Sequence, residues 1–179
     1  MPDMNAWLRW TETSAFSTWL RESTSVFAYP AILSAHAIGM GLAVGVSFAL
    51  AVRVLGVARG IPVAELRRLA PLLWGGFVLN AASGVLLLIA YPTKALSNPV
   101  FSVKLAAIAA GIWTYAILDR RTGRPASAQG DETAGGEAAD RVWRSRLRLV
   151  AVASLVSWAA AITAGRLLAY TYHRLFVDF

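Results

Sequence analysis

The chain has 179 residues, 57% of them hydrophobic and only 15% charged, with a formal net charge of +7. Soluble domains run nearer a quarter charged, so this balance places the chain in lipid and excludes a disordered one. Cysteine is absent, which removes disulfide frameworks, thiolate metal sites and a cysteine nucleophile.

Residues 1–25 have neither the basic start nor the apolar run of a signal peptide. Trp7, Leu8, Phe16, Trp19 and Leu20 recur near helical spacing, with Arg9, Glu12, Arg21 and Glu22 between them. That pattern predicts a short amphipathic helix lying in the plane of the outer membrane interface.

Two charge-free windows follow. No Asp, Glu, Lys or Arg stands between Glu22 and Arg53, or between Arg68 and Lys94. A span needs about 20 apolar residues, since a helix rises about 1.5 Å per residue through a layer of roughly 30 Å. Spans are therefore predicted over 26–52 and 70–91. In the loop between them, "RGIPVAELRRLAP", Pro62 is placed to start a short helix and Glu65 and Arg68 lie one turn apart.

The third and fourth spans each have to take in a cation. Residues 105–118 alone reach only about 21 Å, so the third span must begin near Pro99, after "SNP", and include Lys104. The fourth starts near 149 and must run to about 172, which includes Arg166. Between them, "RTGRPASAQGDETAGGEAAD" is small, polar and acidic, the composition of a mobile linker.

The expected fold is all-α: an integral membrane up-down-up-down four-helix bundle with an N-terminal in-plane helix. Residues 26–118 hold the first three spans, 119–145 a mobile cytoplasmic linker, and 146–179 the fourth span and an outer tail. Arg53, Arg59, Arg67 and Arg68 crowd the first loop, and Arg120, Arg121, Arg124, Arg141, Arg144, Arg146 and Arg148 the third. The positive-inside rule then makes both loops cytoplasmic and turns both termini outward. The basic charge thereby serves topology, and nucleic acid is not an expected partner.

Small residues predict where helices meet: Ala37, Gly41 and Gly45 in the first span, Gly76, Asn80 and Gly84 in the second, Ala107 and Gly111 in the third. Ionisable groups inside the bilayer are costly and mark candidate sites. Lys104 shares the small-residue face of its helix, while Arg166 shares a face with Thr163, Tyr170 and His173. His36 lies deeper, with Met40 one turn further on. Because the third and fourth helices are antiparallel, both cations are expected at one outer mouth above His36.

The predicted site is thus a ligand pocket of His36, Met40, Asn80, Lys104, Thr163, Arg166 and Tyr170. Haem b and a quinone are the candidate cofactors, and His36 is the one deep metal ligand. Paired axial ligands for haem are short, since His173 sits at another depth and Met40 shares a helix with His36. Copper has only His36 and Met40 as a soft pair. No carboxylate lies within the spans, so a buried base is lacking and a non-enzymatic role is expected.

"WLRES", "FAYPAILSAHAIGMGLAVG", "PVAELRRLAPLLWGGFVLNAASGVLLL", "NPVFSVKLAAI" and "AGRLLAY" together resemble an uncharacterised bacterial family of four-span inner-membrane proteins. The resemblance covers nearly the whole chain outside the third loop. Its specific positions fall on His36, Asn98, Pro99, Phe101, Lys104, Gly165 and Arg166, and it implies membership without a reaction. A looser likeness links the chain to the membrane domain of copper-resistance D proteins and to small cytochrome b bundles. The expected function is a binding or accessory subunit that holds an amphiphilic or redox-active molecule. A small-solute or metal-ion transporter and a purely structural subunit are the alternatives. The bilayer is the expected partner, with a homo-oligomer or larger membrane complex around it.

Overall fold

A computed structural model describes residues 2–57, 59–123 and 134–175. The side chains of residues 2–5, Lys94, 134–141 and 169–175 lie outside that description. Among the described residues the chain is all-helical: α1 (Pro2–Glu12), α2 (Ala15–Glu22), α3 (Tyr29–Leu55), α4 (Val63–Arg67), α5 (Ala70–Ala90), α6 (Pro92–Leu96), α7 (Pro99–Thr122) and α8 (Ala134–Leu175). Four of these helices are long and apolar enough to cross a membrane.

Helix boundaries follow local chemistry. Gly56 ends α3 in the left-handed conformation, φ 91°, with its N–H on the Arg53 and Val52 carbonyls, a backbone state open to glycine without a Cβ penalty. Pro62 caps α4 from outside, so that helix begins at Val63, and the expected Glu65–Arg68 pair forms at 3.1 Å. Asn98 caps α7 by accepting the Val100 N–H at 3.0 Å, with Pro99 as first residue. The segment expected as linker over 119–145 holds helix on both sides of 124–133. α7 runs on to Thr122 and α8 begins at Ala134, where Ala and Glu favour helix.

The N-terminal segment forms two short helices, broken where Ser14 turns to cap α2 by accepting the Ser17 N–H at 3.2 Å. Trp7, Trp10, Phe16 and Trp19 point outward, while Leu8, Ser17 and Leu20 are buried against the bundle. These helices close the end of α5, whose last carbonyls have no intrahelical partner. Ser17 donates to Ile89 O at 3.0 Å, and the Arg21 guanidinium donates to Ala90 O and Ser17 Oγ, each at 2.8 Å, and to Glu12 O at 2.9 Å. A cation there also meets the negative pole of the helix. We call this the cap end of the bundle and the opposite end, with Arg53, Arg67 and Arg120, the arginine end.

α3 is the central helix, touching α5, α7 and α8, while α7 and α8 pair with each other. α5 packs closely on α3 and forms no comparable seam with α7 or α8. At the arginine end Leu50, Leu73, Tyr115, Leu118 and Ala151 form an apolar core, and Arg67 pairs with Asp119 at 2.9 Å. A second cluster at mid-height joins Ala43, Trp158 and Ala161.

The α3–α5 seam brings backbone to backbone. A Cβ on Gly39 would stand 2.6 Å from Asn80 N and 2.7 Å from Gly76 O, and one on Gly76 would stand 2.6 Å from Leu42 Cβ. Gly76 therefore packs as its spacing suggests. Gly41 and Gly45 do not: nothing lies within 4 Å of a Cβ at either position. Two residues on from Gly39 is about 200° around the helix, so those glycines face away, and the expected stripe is corrected to Gly39 and Ala43. Gly39→Ala or Gly76→Ala should separate the helices and cost about 1–3 kcal/mol. Gly41→Ala and Gly45→Ala should stay within about 0.5 kcal/mol; reversible unfolding in mixed micelles reads the difference.

Candidate functional site

His36 lies two turns inside α3 and its ring faces α5. A Cβ on Gly84 would approach His36 Cε1 to 3.2 Å, so the glycine makes room for the imidazole. His36 Nδ1 sits 3.0 Å from the Asn80 carbonyl oxygen and 3.2 Å from Ser83 Oγ. A carbonyl can only accept, so in this geometry Nδ1 carries the proton. The Ser83 hydroxyl donates to Leu79 O at 2.6 Å and so presents a lone pair to the ring. Nε2 is then the nitrogen with a free lone pair, aimed away from α5's backbone bond.

The bond is returned. Asn80 Nδ2 donates to the His36 carbonyl at 2.8 Å, so each residue's side chain binds the other's backbone. Asn80 and Ser83 are buried and His36 is half-buried. In an apolar medium such a pair satisfies groups that would otherwise stay unpaired, and each bond there contributes about 0.6 kcal/mol, up to roughly 1.7.

Lys104 enters the same level from α7. Its Nζ would stand 3.8 Å from a Cβ at Gly165, so α8's glycine gives its stem a bed. The side chain is half-buried and lies within electrostatic range of His36. Among the described residues no carboxylate pairs with it.

Arg166 takes a different place. Ala161, Ala164 and Gly165 turn inward on α8, whereas Thr163 and Arg166 are exposed. The predicted convergence of both cations is therefore not seen: Lys104 faces the bundle and Arg166 its surface. One residue beyond Gly165 is about 100° around the helix, and a long arginine stem there can reach the headgroups. Met40 is half-buried on α3, one turn from His36. The side chains of Tyr170, Tyr172 and His173 lie outside the described residues.

Residues not singled out in the sequence complete the interior. The Trp158 indole donates to Ser47 Oγ at 2.8 Å, and Ser47 and Ser154 hydroxyls lie 3.2 Å apart. This buried set ties α3 to α8 about three turns below His36. Trp158 fits because Gly111 leaves the space: a Cβ there would come to 2.7 Å from the indole. Ser83, the second partner of His36, had one available signal, its place one turn from Asn80 on the same face.

A metal centre needs more ligands than this level offers. Among the described residues no three of His, Asp or Glu gather. A six-coordinate haem fits poorly, since Met40 rises from the same helix as His36 and cannot reach the opposite face of one iron. A quinone head asks for less, one ring-nitrogen lone pair and one cation.

No family model, curated protein or solved structure matches the chain.

The bond pattern has a direct spectroscopic consequence. In ¹⁵N spectra of histidine-labelled protein in detergent, neutral His36 should show Nδ1 protonated and Nε2 bare. The reverse tautomer would remove the bond to Asn80 O. Asn80→Ala removes the Nδ2 bond to the His36 carbonyl and should cost about 0.5–2 kcal/mol of stability, while the backbone carbonyl at position 80 stays and keeps the tautomer, both read on the same sample.

Proposed function

We propose that the protein is a non-enzymatic subunit of a bacterial inner membrane that binds an amphiphilic, quinone-like molecule by its polar head. The head site lies in the outer leaflet, between His36 and Lys104, with both termini of the chain on the same side. One observation carries this reading: the His36 Nδ1–H is committed to the Asn80 carbonyl while Lys104 sits half-buried within electrostatic range of it, with no carboxylate paired to it among the described residues.

That pairing gives complementary chemistry. Metal- and ligand-binding histidines are commonly oriented by a bond from the other ring nitrogen to a backbone carbonyl. The Nε2 lone pair accepts a hydrogen bond from a hydroxyl, and the Lys104 ammonium donates to a carbonyl or attracts an anion. A quinone offers a carbonyl when oxidised and a hydroxyl when reduced, so the two residues can hold either form. An uncompensated cation at this depth is costly and marks a functional site more often than a structural one. The resemblance to the uncharacterised four-span family also falls on His36, Lys104 and Gly165. Arg166, being exposed, is assigned to the headgroups.

The test is chemical extraction of full-length protein purified in mild detergent, with an absorption spectrum and metal analysis of the same sample. A stoichiometric quinone-like or acidic amphiphile is expected, and Lys104→Met and His36→Leu should each reduce its occupancy about tenfold, the loss of one charged or buried hydrogen bond. A sample that carries no such molecule and takes up none on addition refutes the proposal. Equal occupancy in the folded variants does so too.

A further inference from the structure

Between α5 and α7 lies a groove of about 430 Å³, lined by Phe77 of α5 and by residues of α7 from Leu105 and Ile108 through Ala109, Ile112 and Trp113 to Ala116. Its walls are apolar throughout, and its volume lies within the roughly 300–1,000 Å³ of small-molecule sites. The groove lies where α5, packed chiefly on α3, turns Phe77 toward α7 above the core in which its Leu73 joins Tyr115 and Leu118.

The groove leads to the polar level. Ile108 lies one turn below Lys104 on the same face of α7, and Leu105 is its immediate neighbour. On α5, Phe77 lies one turn below Asn80. Both walls thus rise from the apolar channel straight to the residues around His36. From Leu105 to Ala116 the α7 wall descends about 16 Å, roughly the depth of one leaflet of a 30 Å hydrocarbon layer.

We infer that this groove seats the aliphatic tail of the amphiphile whose head lies at His36 and Lys104, which makes the ligand class a single-tailed quinone-like lipid. The inference rests on the head site proposed above and adds where the rest of the molecule lies. Charge and shape both favour this occupant. The cation at the top suits a polar or anionic head, and a channel of this volume takes a flexible chain, whereas a helix is about 10 Å across. The tail gains little from leaving lipid or detergent, which are as apolar as the groove. Its contribution comes from close packing, so the expected effect is modest.

The test uses two probes on full-length protein in detergent: duroquinone, which has no tail, and decylubiquinone, with affinities referred to the detergent-phase concentration. Decylubiquinone should bind the native protein about 3- to 10-fold more tightly, the scale of packing gains that do not draw on water. Ala109→Phe should reduce that advantage below about 2-fold, leaving packing of the tail lost, with duroquinone affinity unchanged. Leu105→Trp blocks the same groove higher up and serves where Ala109→Phe fails to fold. If duroquinone binds and both variants keep the full tail advantage, the tail lies elsewhere and the inference is overturned. If neither quinone binds, the head site has failed and the inference falls with it. If instead the substitutions convert a native dimer to monomer by light scattering, the groove belongs to a second copy of the chain.

Discussion

The rest of the bundle depends on the exchange of hydrogen bonds between His36 and Asn80. Each side chain binds the other residue's backbone, at 3.0 and 2.8 Å, which sets both the height and the rotation of α5 on α3. Once that rotation is set, the helices can touch only through residues without bulk, and Gly39 and Gly76 are where they touch. Gly84 then has to be a glycine for the imidazole to lie flat. A polar interaction therefore organises the apolar packing around it, as expected where lipid supplies no hydrophobic push between helices. The open α5–α7 groove accompanies the same arrangement, since α5 makes its close seam with α3.

The interior changes character along its length. At the arginine end it is apolar, with Leu50, Leu73 and Leu118 fully buried and the part-buried Arg67–Asp119 pair at its margin. At mid-height a tryptophan and two serines share hydrogen bonds. Toward the cap end imidazole, amide and hydroxyl groups share hydrogen bonds, with the Lys104 ammonium within electrostatic range of the imidazole. The N-terminal helices belong to this gradient: Arg21 and Ser17 complete the α5 terminus that carries the site, and exposed tryptophans beside them suit a water–lipid boundary.

Much of this was legible in the residues. The charge-free windows locate α3 and α5 within about three residues, because a missing charge over that length has one cheap explanation. Lys104 and Asn80 were legible as inward groups through the small residues beside them. The rotation of α3 was not. Gly41 and Gly45 have the spacing of a packing motif, but spacing says nothing about which face is used, and the choice was made by His36 binding α5. Arg166 failed for the same reason: Ala161, Ala164 and Gly165 share the neighbouring face, and a difference of about 100° per residue decides which of the two turns inward. Ser47, Ser154 and Trp158 were silent because serine and tryptophan are ordinary in such helices until they meet.

The division of contacts also bears on how such a chain enters a bilayer. α3 and α5 form a hairpin whose imidazole and amide groups, His36 and Asn80, answer each other without help from later sequence. It can therefore leave the insertion machinery as a closed unit while α7 is still being made. α7 and α8 form the second hairpin, and theirs is Lys104, with no carboxylate paired to it among the described residues. Assembly order thus follows the bonds: the hairpin that arrives first holds its imidazole and amide in place, and the one that arrives second brings Lys104, together with Trp158 and Ser154 as partners for Ser47, to a scaffold already formed.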